Sequence, residues 1–517
     1  MGLPYTIIIG LEVHVQLATR SKLFCGCSTA FGGEPNTQTC PLCIGMPGTL
    51  PVMNREAFLL SVKTAVALNC TIPRFTKWDR KHYFYPDLPK GYQISQFDLP
   101  LSENGWLEIS DSKGAFEPKK IRIIRAHLEE DAGKSMHDEG AGKGDSRIDL
   151  NRTGTPLLEI VSQPDIRSPL EAKAYLSELK LLLTYLGVSD CNMQEGSLRV
   201  DANINLHINA DDAAVSAAQR DAAAGEGTAP VGAMATPSGK IATPIVEVKN
   251  MNSFRAVERA LTFEAARQYE VFKKTGLTIN DPDGLKTTRG WDENEQSTKP
   301  QRGKEDSADY RYFPDPDLVP VTTTAEQVEG IRASLGELPA ALRTRIEQTH
   351  GISAYDADVL VNQGRELVDY FVELAERCGD GKAASNWVKQ DVLRTLKERQ
   401  TTIDQFTVSA EMLSELLKFI SDGLLPTSRA RDVLAEMIES GTSAEGSMKT
   451  LGIQAVDQGE LEGLCRELLE KNPAIVQDAK EGKLKAVGAL IGQAKQKNPN
   501  VNPAQVRELC LKLIEKM

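Results

Sequence analysis

Four cysteines near the N-terminus form two close pairs, Cys25 with Cys27 and Cys40 with Cys43, separated by twelve residues. Gly45 follows the second pair, where a metal-binding turn requires a residue that tolerates positive φ. Four thiolates are a complete ligand set for tetrahedral Zn²⁺, and they leave no ligand position for water. The spacing therefore predicts a structural zinc site, with free thiols in a loop or a single disulfide as the alternatives.

Ionisable side chains also occur within segments that have strand-like alternation. In 11–17, apolar residues alternate with a polar set that includes Glu12 and His14, so the polar side chains share one face of a predicted strand. In 155–163, Glu159 stands alone among apolar residues. Burying such a carboxylate is costly unless it is paired or bound to a metal.

Two further segments show the same pattern. The segment 122–131 ends in three acidic residues, and its alternation places Glu130 on the face of Leu128. The segment 197–207 alternates apolar residues with a polar set that includes Arg199 and Asp201. For any one strand, a solvated outer face explains the pattern. Four such strands together favour a sheet whose converging carboxylates and imidazole hold Mg²⁺ and a nucleotide phosphate.

The segment 77–92 mixes five aromatic residues with basic ones, among them Lys81 and Lys90. Such a mixture can stack on bases and contact phosphates. It can equally form a rigid, proline-bounded loop that packs on the core, and composition alone does not separate the two. The segment 309–314, DYRYFP, leaves the same two alternatives open.

The whole chain has 517 residues, with 60 Lys and Arg against 72 Asp and Glu, and a formal net charge of −12. This length predicts about three or four domains. The acidic balance argues against a protein that coats nucleic acid through bulk charge. No apolar run is long enough to span a bilayer, and the N-terminus lacks a basic region before its short apolar run. Nine cysteines, four of them crowded together, favour a reducing compartment, so we expect a cytoplasmic location.

The secondary-structure elements that we expect to position these residues indicate an α+β protein. Strands are expected at 6–17, 120–131, 197–208 and 245–249, and helices at 55–68, 170–186 and 254–274. The polar stretch 281–306 reads as loop, and the Ala-rich stretch near 209–240 as a surface insertion. From residue 324 onward the pattern is helical, with a break at 400–407. We expect three domains, at 1–295, 296–405 and 406–517.

Several longer motifs together resemble one family, the B subunits of the tRNA-dependent aspartyl/glutamyl amidotransferases. They are GLEVH at 10–14, the cysteine pairs, DRKHYFYPDLPKGYQIS at 79–95, HLEEDAGK at 127–134, DLNRTGTPLLEIV at 149–161, EGSLR at 195–199, KNMNSF at 249–254 and DYRYFP at 309–314. These runs are ordered and extend over most of the first three hundred residues. His82 stands where the family is expected to have Asn, and the 209–240 stretch also departs from its pattern.

The resemblance implies a fold as well as a reaction. The N-terminal catalytic domain is expected to be an antiparallel sheet similar to glutamine synthetase, followed by an all-α helical domain and a small all-α tail of the YqeY type. ATP would phosphorylate the side-chain carboxylate of misacylated Glu-tRNA(Gln) or Asp-tRNA(Asn), and ammonia would then displace the phosphate. An amidase, the A subunit, would supply the ammonia, and a small C subunit would complete a heterotrimer.

Carried onto this sequence, the resemblance assigns the Mg²⁺ ligands to His14, Glu130 and Glu159, with Glu12 beside them. Arg199 and Asp201 are expected on another polar face, as a phosphate contact and a second metal ligand. Lys81 and Lys90 are candidates to contact ATP or the acyl end of the tRNA.

The C-terminal stretch 471–517 has nine Lys and Arg against four Asp and Glu. A small basic helical module on an acidic protein is suited to contacting one tRNA, although an ordinary solvated helix surface has the same composition. Two rival functions remain at this point: a non-catalytic, zinc-containing tRNA-binding module, and a stand-alone ligase similar to glutamine synthetase that acts on a small amino acid. The choice between the two misacylated tRNAs cannot be read from the sequence.

Overall fold

The structure, a computed structural model, describes residues 3–137, 146–209, 240–301, 310–453, 458–498 and 500–516. The chain divides into two compact units, Met1–Leu338 and Pro339–Met517. The division falls later than the expected boundary after residue 295, and it leaves 339–517 as one unit instead of separating it near residue 405. Most of the expected insertion, 210–239, lies outside the described residues.

All strands that the described ranges contain belong to the first unit. In chain order they are β1 (Tyr5–Gln16), β2 (Phe75–Thr76), β3 (Asp79–His82), β4 (Tyr92–Ser95), β5 (Ser102–Ile109), β6 (Lys119–Glu130), β7 (Lys134–His137), β8 (Ser146–Asp149), β9 (Pro156–Ser162), β10 (Leu198–Asn209), β11 (Lys240–Ala242), β12 (Val246–Lys249), β13 (Thr287–Asp292), β14 (Ser297–Pro300), β15 (Phe313–Pro314) and β16 (Val321–Thr322). The four strands expected from alternation are confirmed as β1, β6, β10 and β12.

A nine-stranded sheet has the order β14-β13-β12-β10-β1-β9-β6-β5, with β11 also paired to β10. Its pairs are antiparallel except for β12 with β13, which run parallel. Strands β13 and β14 form a hairpin within 281–306, where we expected loop. The reason is that this edge hairpin is mostly polar and lacks the apolar alternation that identifies a half-buried strand. Three small sheets, β15-β3-β4, β16-β2 and β7-β8, lie beside the large one.

Among the described residues of the first unit, four helices accompany the strands: α1 (Arg55–Ala67), α2 (Pro169–Tyr185), α3 (Phe254–Thr275) and α4 (Ala325–Ser334). Side chains of Asn54, Ser168 and Ser253 accept hydrogen bonds from the first backbone N–H groups of α1, α2 and α3, which explains where these helices begin. Their apolar residues join the odd-numbered side chains of β1, from Ile7 to Val15, in one core. The even-numbered side chains of β1 therefore face away from that core.

The second unit is helical in its described part. Its helices are α5 (Pro339–His350), α6 (Ala354–Val361), α7 (Arg365–Cys378), α8 (Gly381–Trp387), α9 (Leu393–Arg399), α10 (Ala410–Ser421), α11 (Thr427–Ser440), α12 (Ala444–Thr450), α13 (Gln458–Lys471), α14 (Pro473–Lys480), α15 (Gly488–Lys497) and α16 (Pro503–Lys516). A π-helical turn, Val388–Val392, joins α8 to α9. Residues of α13 to α16 share a small apolar core of their own. No helix within the described ranges has both the length and the apolarity that a membrane crossing requires.

Candidate active site

The register of β1 with its two neighbours brings the polar residues together. His14 lies opposite Glu159 of β9 on one side and opposite Arg199 of β10 on the other. Glu12 lies opposite Asp201 in the same register. Directly opposed residues of antiparallel strands point to the same face. Arg199 and Asp201 therefore share the face of His14, and the expectation that they lie on another face is wrong.

Two of these side chains, His14 and Glu159, form a group with Glu129 of β6 that has the spacing of metal ligands. The Nε2 atom of His14 lies 3.5 Å from Oε2 of Glu159 and 3.9 Å from Oε1 of Glu129. One ligand atom from each of the three residues lies within 4.8 Å of the other two. Two carboxylates and an imidazole fit Mg²⁺ or Mn²⁺, which complete their coordination with water or phosphate oxygens.

A second imidazole lies on the other side of the same carboxylates. The Nε2 atom of His127 is 3.4 Å from Oε2 of Glu159 and 3.8 Å from Oε2 of Glu129. Its other ring nitrogen, Nδ1, is buried without a hydrogen-bond partner among the described residues. Glu129 and Glu159 are therefore held between two histidines, and His127 is a site residue that the sequence reasoning missed.

Glu130, expected as a metal ligand, lies elsewhere. It is 1 % exposed, and its Oε1 accepts a hydrogen bond from the backbone N–H of Ile94 at 3.0 Å and pairs with the ammonium of Lys90. The cause is the alternation of β6, which puts Glu130 on the side of Leu128 and Glu129 on the side of His127. The structure thus groups Glu129, and not Glu130, with His14 and Glu159. Lys90 is likewise engaged with Glu130.

Electrostatics favour the ionised form of Glu159. Burial acts to raise the pKa of this carboxyl, but the positive charges of His127, His14 and Lys81 outweigh burial and hold it well below its usual range. For His14, burial acts to lower the pKa, and the hydrogen bond and charge of Glu159 outweigh it and raise the pKa. The negative charge of Glu129 and Glu159 that raises the pKa of His14 also favours a metal cation at this place.

Lys81 lies over aromatic rings beside this group. Its Nζ atom is 4.9 Å from the ring centroid of Tyr310 and 5.8 Å from that of Tyr83. Burial acts to lower the pKa of Lys81, but the negative charges of Glu129 and Glu159 outweigh burial and raise it. Lys81 is therefore a cation held next to the candidate metal ligands.

The two aromatic segments are joined by strand pairing. β15 pairs with β3, the backbone N–H of His82 donates to the carbonyl of Tyr310 at 2.8 Å, and Nε of Arg80 donates to Oδ2 of Asp315 at 2.7 Å. Within 77–92, Trp78 is buried, as a loop packed on the core requires, whereas Phe84 is 87 % exposed.

Arg199 is oriented by a buried carboxylate. Its Nη2 donates to Oδ1 of Asp131 at 2.8 Å, and Nε2 of Gln16 donates to Oδ2 of Asp131 at 2.8 Å. Burial would raise the pKa of Asp131, but the charges of Arg199 and Arg152 outweigh it and lower the pKa. These hydrogen bonds fix the guanidinium of Arg199 on the sheet face that carries His14.

Asp201 and Glu12 lie one residue pair further along the strands. Asp201 pairs with the ammonium of Lys249, which also lies 3.5 Å from Oε1 of Glu247. Oε1 of Glu12 accepts a hydrogen bond from Asn203 at 3.0 Å. Asp201 is thus already paired with a cation, and the described geometry groups neither residue with His14, Glu129 and Glu159.

The four cysteines of the N-terminal pairs also converge. Sγ of Cys43 lies 3.6 Å from that of Cys25, 3.6 Å from that of Cys40 and 3.9 Å from that of Cys27. A Zn–S bond of about 2.3 Å in a tetrahedron gives S···S separations of about 3.8 Å. The hydrogen bond from Cys25, together with the ammonium of Lys22 at 3.5 Å, lowers the pKa of Cys43 to about 4 against the effect of burial. The geometry fits a closed Zn²⁺ site.

Comparison with known proteins agrees with these observations. The GatB/GatE catalytic domain matches residues 7–222 and 231–329, and the GatB domain of the YqeY type matches residues 369–514. An aspartyl/glutamyl-tRNA(Asn/Gln) amidotransferase B subunit of Rhodopirellula baltica is 59 % identical over 99 % of this chain and 98 % of its own length. The chain belongs to the family of amidotransferase B subunits.

Other B subunits show the same full-length match. Those of Caldanaerobacter subterraneus subsp. tengcongensis and Moorella thermoacetica are 44 % and 45 % identical, each over 98 % of this chain and over 98 % and 99 % of their own lengths. The catalytic-domain match includes His14, His127, Glu129 and Glu159. The YqeY-type match lies entirely in the second, helical unit. The family resemblance expected from the sequence motifs is confirmed.

Proposed function

We propose that this chain carries out the ATP-dependent step of tRNA-dependent transamidation. The observation that carries the proposal is the group of His14, Glu129 and Glu159 on the polar face of the sheet, with Lys81 and Arg199 beside it. The substrates would be Glu-tRNA(Gln), Asp-tRNA(Asn) or both. The names of the relatives support an amidotransferase subunit and do not favour a non-catalytic tRNA-binding module.

The chemistry needs two displacements. A side-chain carboxylate oxygen attacks the γ-phosphorus of ATP, ADP leaves, and an acyl phosphate forms. Ammonia then attacks the acyl carbon, inorganic phosphate leaves, and a proton is lost from nitrogen to give the amide. The first step is required because a carboxylate is a poor electrophile, whereas an acyl phosphate has a good leaving group.

Residues of the chain would stabilise the charges in both steps. When bound by His14, Glu129 and Glu159, Mg²⁺ would offset negative charge on the phosphoryl oxygens. Lys81 is placed to contact the carboxylate or phosphate beside these ligands, and Arg199 is held by Asp131 so that its guanidinium is preorganised for a phosphate. His127 would hold Glu159 and Glu129 in orientation.

The partners follow from the same proposal. An amidase, the A subunit, would release ammonia from glutamine and pass it to this site, and a small C subunit would complete the heterotrimer. The zinc loop is proposed to be structural, the likeness of the sheet to glutamine synthetase remains a prediction, and we propose a cytoplasmic location.

For the tail, we propose tRNA binding by its basic surface. Of its nine Lys and Arg, Lys471, Lys483, Lys497 and Lys512 form exposed ion pairs with acidic residues. Exposed ion pairs are weak, so they compete only slightly with phosphate contacts. Truncation at about Gly423 is expected to weaken tRNA binding and to leave glutaminase activity of the assembled complex unchanged. Unaltered tRNA affinity would exclude this role.

The decisive experiment incubates the purified complex with each misacylated tRNA, ATP and glutamine, and then identifies the esterified amino acid. Conversion of Glu to Gln or of Asp to Asn, dependent on ATP, is the expected result. ATP consumption with a free amino acid and no tRNA would favour a stand-alone ligase, and absence of amidation with either tRNA would contradict the proposal.

A further inference from the structure

The loop 83–91 is held in place by backbone hydrogen bonds. Within it, the N–H of Leu88 donates to the carbonyl of Tyr85 at 3.0 Å, and that of Gly91 donates to the carbonyl of Leu88 at 2.9 Å. The N–H of Gly133, just beyond β6, donates to the carbonyl of Asp87 at 2.9 Å. The loop is therefore an ordered turn fastened to the strand end that carries Glu129.

Phe84 stands on this turn with its ring in solvent. It is the most exposed large apolar side chain in the described part of the chain. Ring atoms Cε1 and Cδ1 lie only 3.3 Å or less from the position that a Cβ on Gly91 would occupy, and Gly91 has a φ of +73°. One edge of the ring thus lies close to Gly91, while the rest of the ring is exposed to solvent. Burial of an aromatic ring is favourable, so an ordered, exposed ring is suited to a partner.

The turn also lies at the rim of the candidate active site. Tyr83, the residue before Phe84, has its ring centroid 5.8 Å from Nζ of Lys81. Burial raises the pKa of Tyr83, and the nearby carboxylates of Glu129 and Glu130 raise it further. Phe84 therefore follows directly after a residue whose ring lies near Lys81 of the candidate site.

We propose that Phe84 is a stacking platform for the 3′-terminal adenine of the acyl-tRNA. This inference rests on the proposed function, because there the reacting carboxylate belongs to an amino acid esterified to that terminal nucleotide. Its base must then lie a short distance from His14 and Glu159. An unpaired base at the end of an RNA chain can be held by one aromatic ring face. Stacking on aromatic side chains is the usual way in which proteins hold such a base.

The exposure of Phe84 favours a tRNA end over the adenine of ATP. Small ligands are bound in concave sites that enclose most of their surface. An outward-facing ring on a turn encloses nothing, but it can support one base of a larger molecule that is anchored elsewhere. We therefore assign the ring to the tRNA, and the test separates the two adenines.

The test compares Phe84→Ala with Phe84→Trp in the full-length chain of the assembled amidotransferase. For Phe84→Ala we expect the KM for misacylated tRNA to rise about tenfold, within a range of roughly 5- to 150-fold, with kcat and the KM for ATP unchanged. Phe84→Trp keeps an aromatic face and is expected to stay within about twofold of the original KM. Phe31→Ala is the matched control, because Phe31 is also a highly exposed phenylalanine and lies outside this loop.

A binding measurement decides the inference without turnover. A tRNA with 2-aminopurine in place of its 3′-terminal adenine loses fluorescence when that base stacks. We expect quenching by the original chain and by Phe84→Trp, and none by Phe84→Ala. Equal quenching by all three chains, or a rise in the KM for ATP alone, would overturn the assignment. Normal quenching without amidation by the original chain would instead contradict the proposed function and leave the stacking role standing.

Discussion

Two groups of candidate metal ligands lie in the same unit, and they differ in ligand type and in the elements that contribute them. The cysteine group has four soft thiolates at tetrahedral separations, contributed by one loop. The group of His14, Glu129 and Glu159 has harder ligands, contributed by three strands of the large sheet. The first leaves no position for a substrate, and the second leaves several.

The two groups also differ in how far a sequence can predict them. A loop site depends on local spacing, so all four cysteines could be named from the sequence. A sheet site depends on register and on which side of each strand a residue faces. An error of one residue along a strand moves a side chain to the opposite face. Loss of the first group should therefore damage the fold, and loss of the second should damage the chemistry alone.

Replacing Cys43, a proposed zinc ligand, by Cys43→Ser should have the largest effect. A structural zinc site contributes its binding free energy to folding, so we expect a loss of about 5 kcal/mol and a fall in Tm of about 10 °C. The measurements are zinc content by mass spectrometry and thermal unfolding. Cys378→Ser, at a half-buried cysteine of the helical unit, should change neither. A zinc-free protein with an unchanged Tm would remove the distinction between the two groups.

Glu159→Gln should impair catalysis and leave the fold intact. It keeps the shape of the side chain and removes the charge that holds the cation, so amidation should fall about 10³-fold, equivalent to about 4 kcal/mol. Mn²⁺ affinity, followed by electron paramagnetic resonance, should weaken in parallel while Tm stays within a few degrees. Glu103→Gln, an exposed carboxylate on β5 of the same sheet, is the control and should behave like the original chain.

Lys81→Met tests the cation beside the carboxylates. Because Lys81 would contact the reacting carboxylate or phosphate without holding the metal, we expect amidation to fall about tenfold to a hundredfold with Mn²⁺ affinity unchanged. Lys274→Met, at the exposed end of α3, should have no effect on either quantity. A loss of Mn²⁺ affinity would mean that Lys81 shapes the metal site itself.

A smaller effect on stability is expected when the pH falls and Asp131 becomes protonated. Its pKa in the folded chain lies below the unfolded value of about 3.9, so its contribution to stability is present above that pH and is lost as the pH falls through the folded pKa. Unfolding in urea at pH values from 6 down to 3 should show this loss in the original chain. In Asp131→Asn the slope below about pH 4 should be smaller. An identical slope in both chains would show that the network with Arg199 does not contribute.

Much of the fold could be predicted because apolar alternation is strong in the central strands. β1 and β10 are buried on one face and polar on the other, so their positions and the shared polar face of β1 were evident. The hairpin β13–β14 was missed because its polar edge strands lack this signal. The boundary at Leu338 was missed because β15, β16 and α4 return to the first unit through pairings that no local pattern reveals.

The candidate site was predicted in part. His14 and Glu159 were identified, and the structure brings them together. Glu129 and His127 were missed, although both are direct neighbours of Leu128 and therefore lie on the face opposite to it. The pairing of Glu130 with Lys90 and of Asp201 with Lys249 could not be predicted, because the residues of each pair lie far apart in the chain and only the tertiary structure brings them together.

The assignment of the metal site to Glu129 is tested most sharply by comparing Glu129→Gln with Asp201→Asn in the assembled amidotransferase, with ammonium chloride as the nitrogen donor in place of glutamine. This assay bypasses the ammonia-producing subunit and measures amidation of the misacylated tRNA alone. We predict that Glu129→Gln loses at least about a hundredfold in amidation rate and in Mn²⁺ affinity, while Asp201→Asn loses much less of both. Full amidation by Glu129→Gln would contradict this assignment.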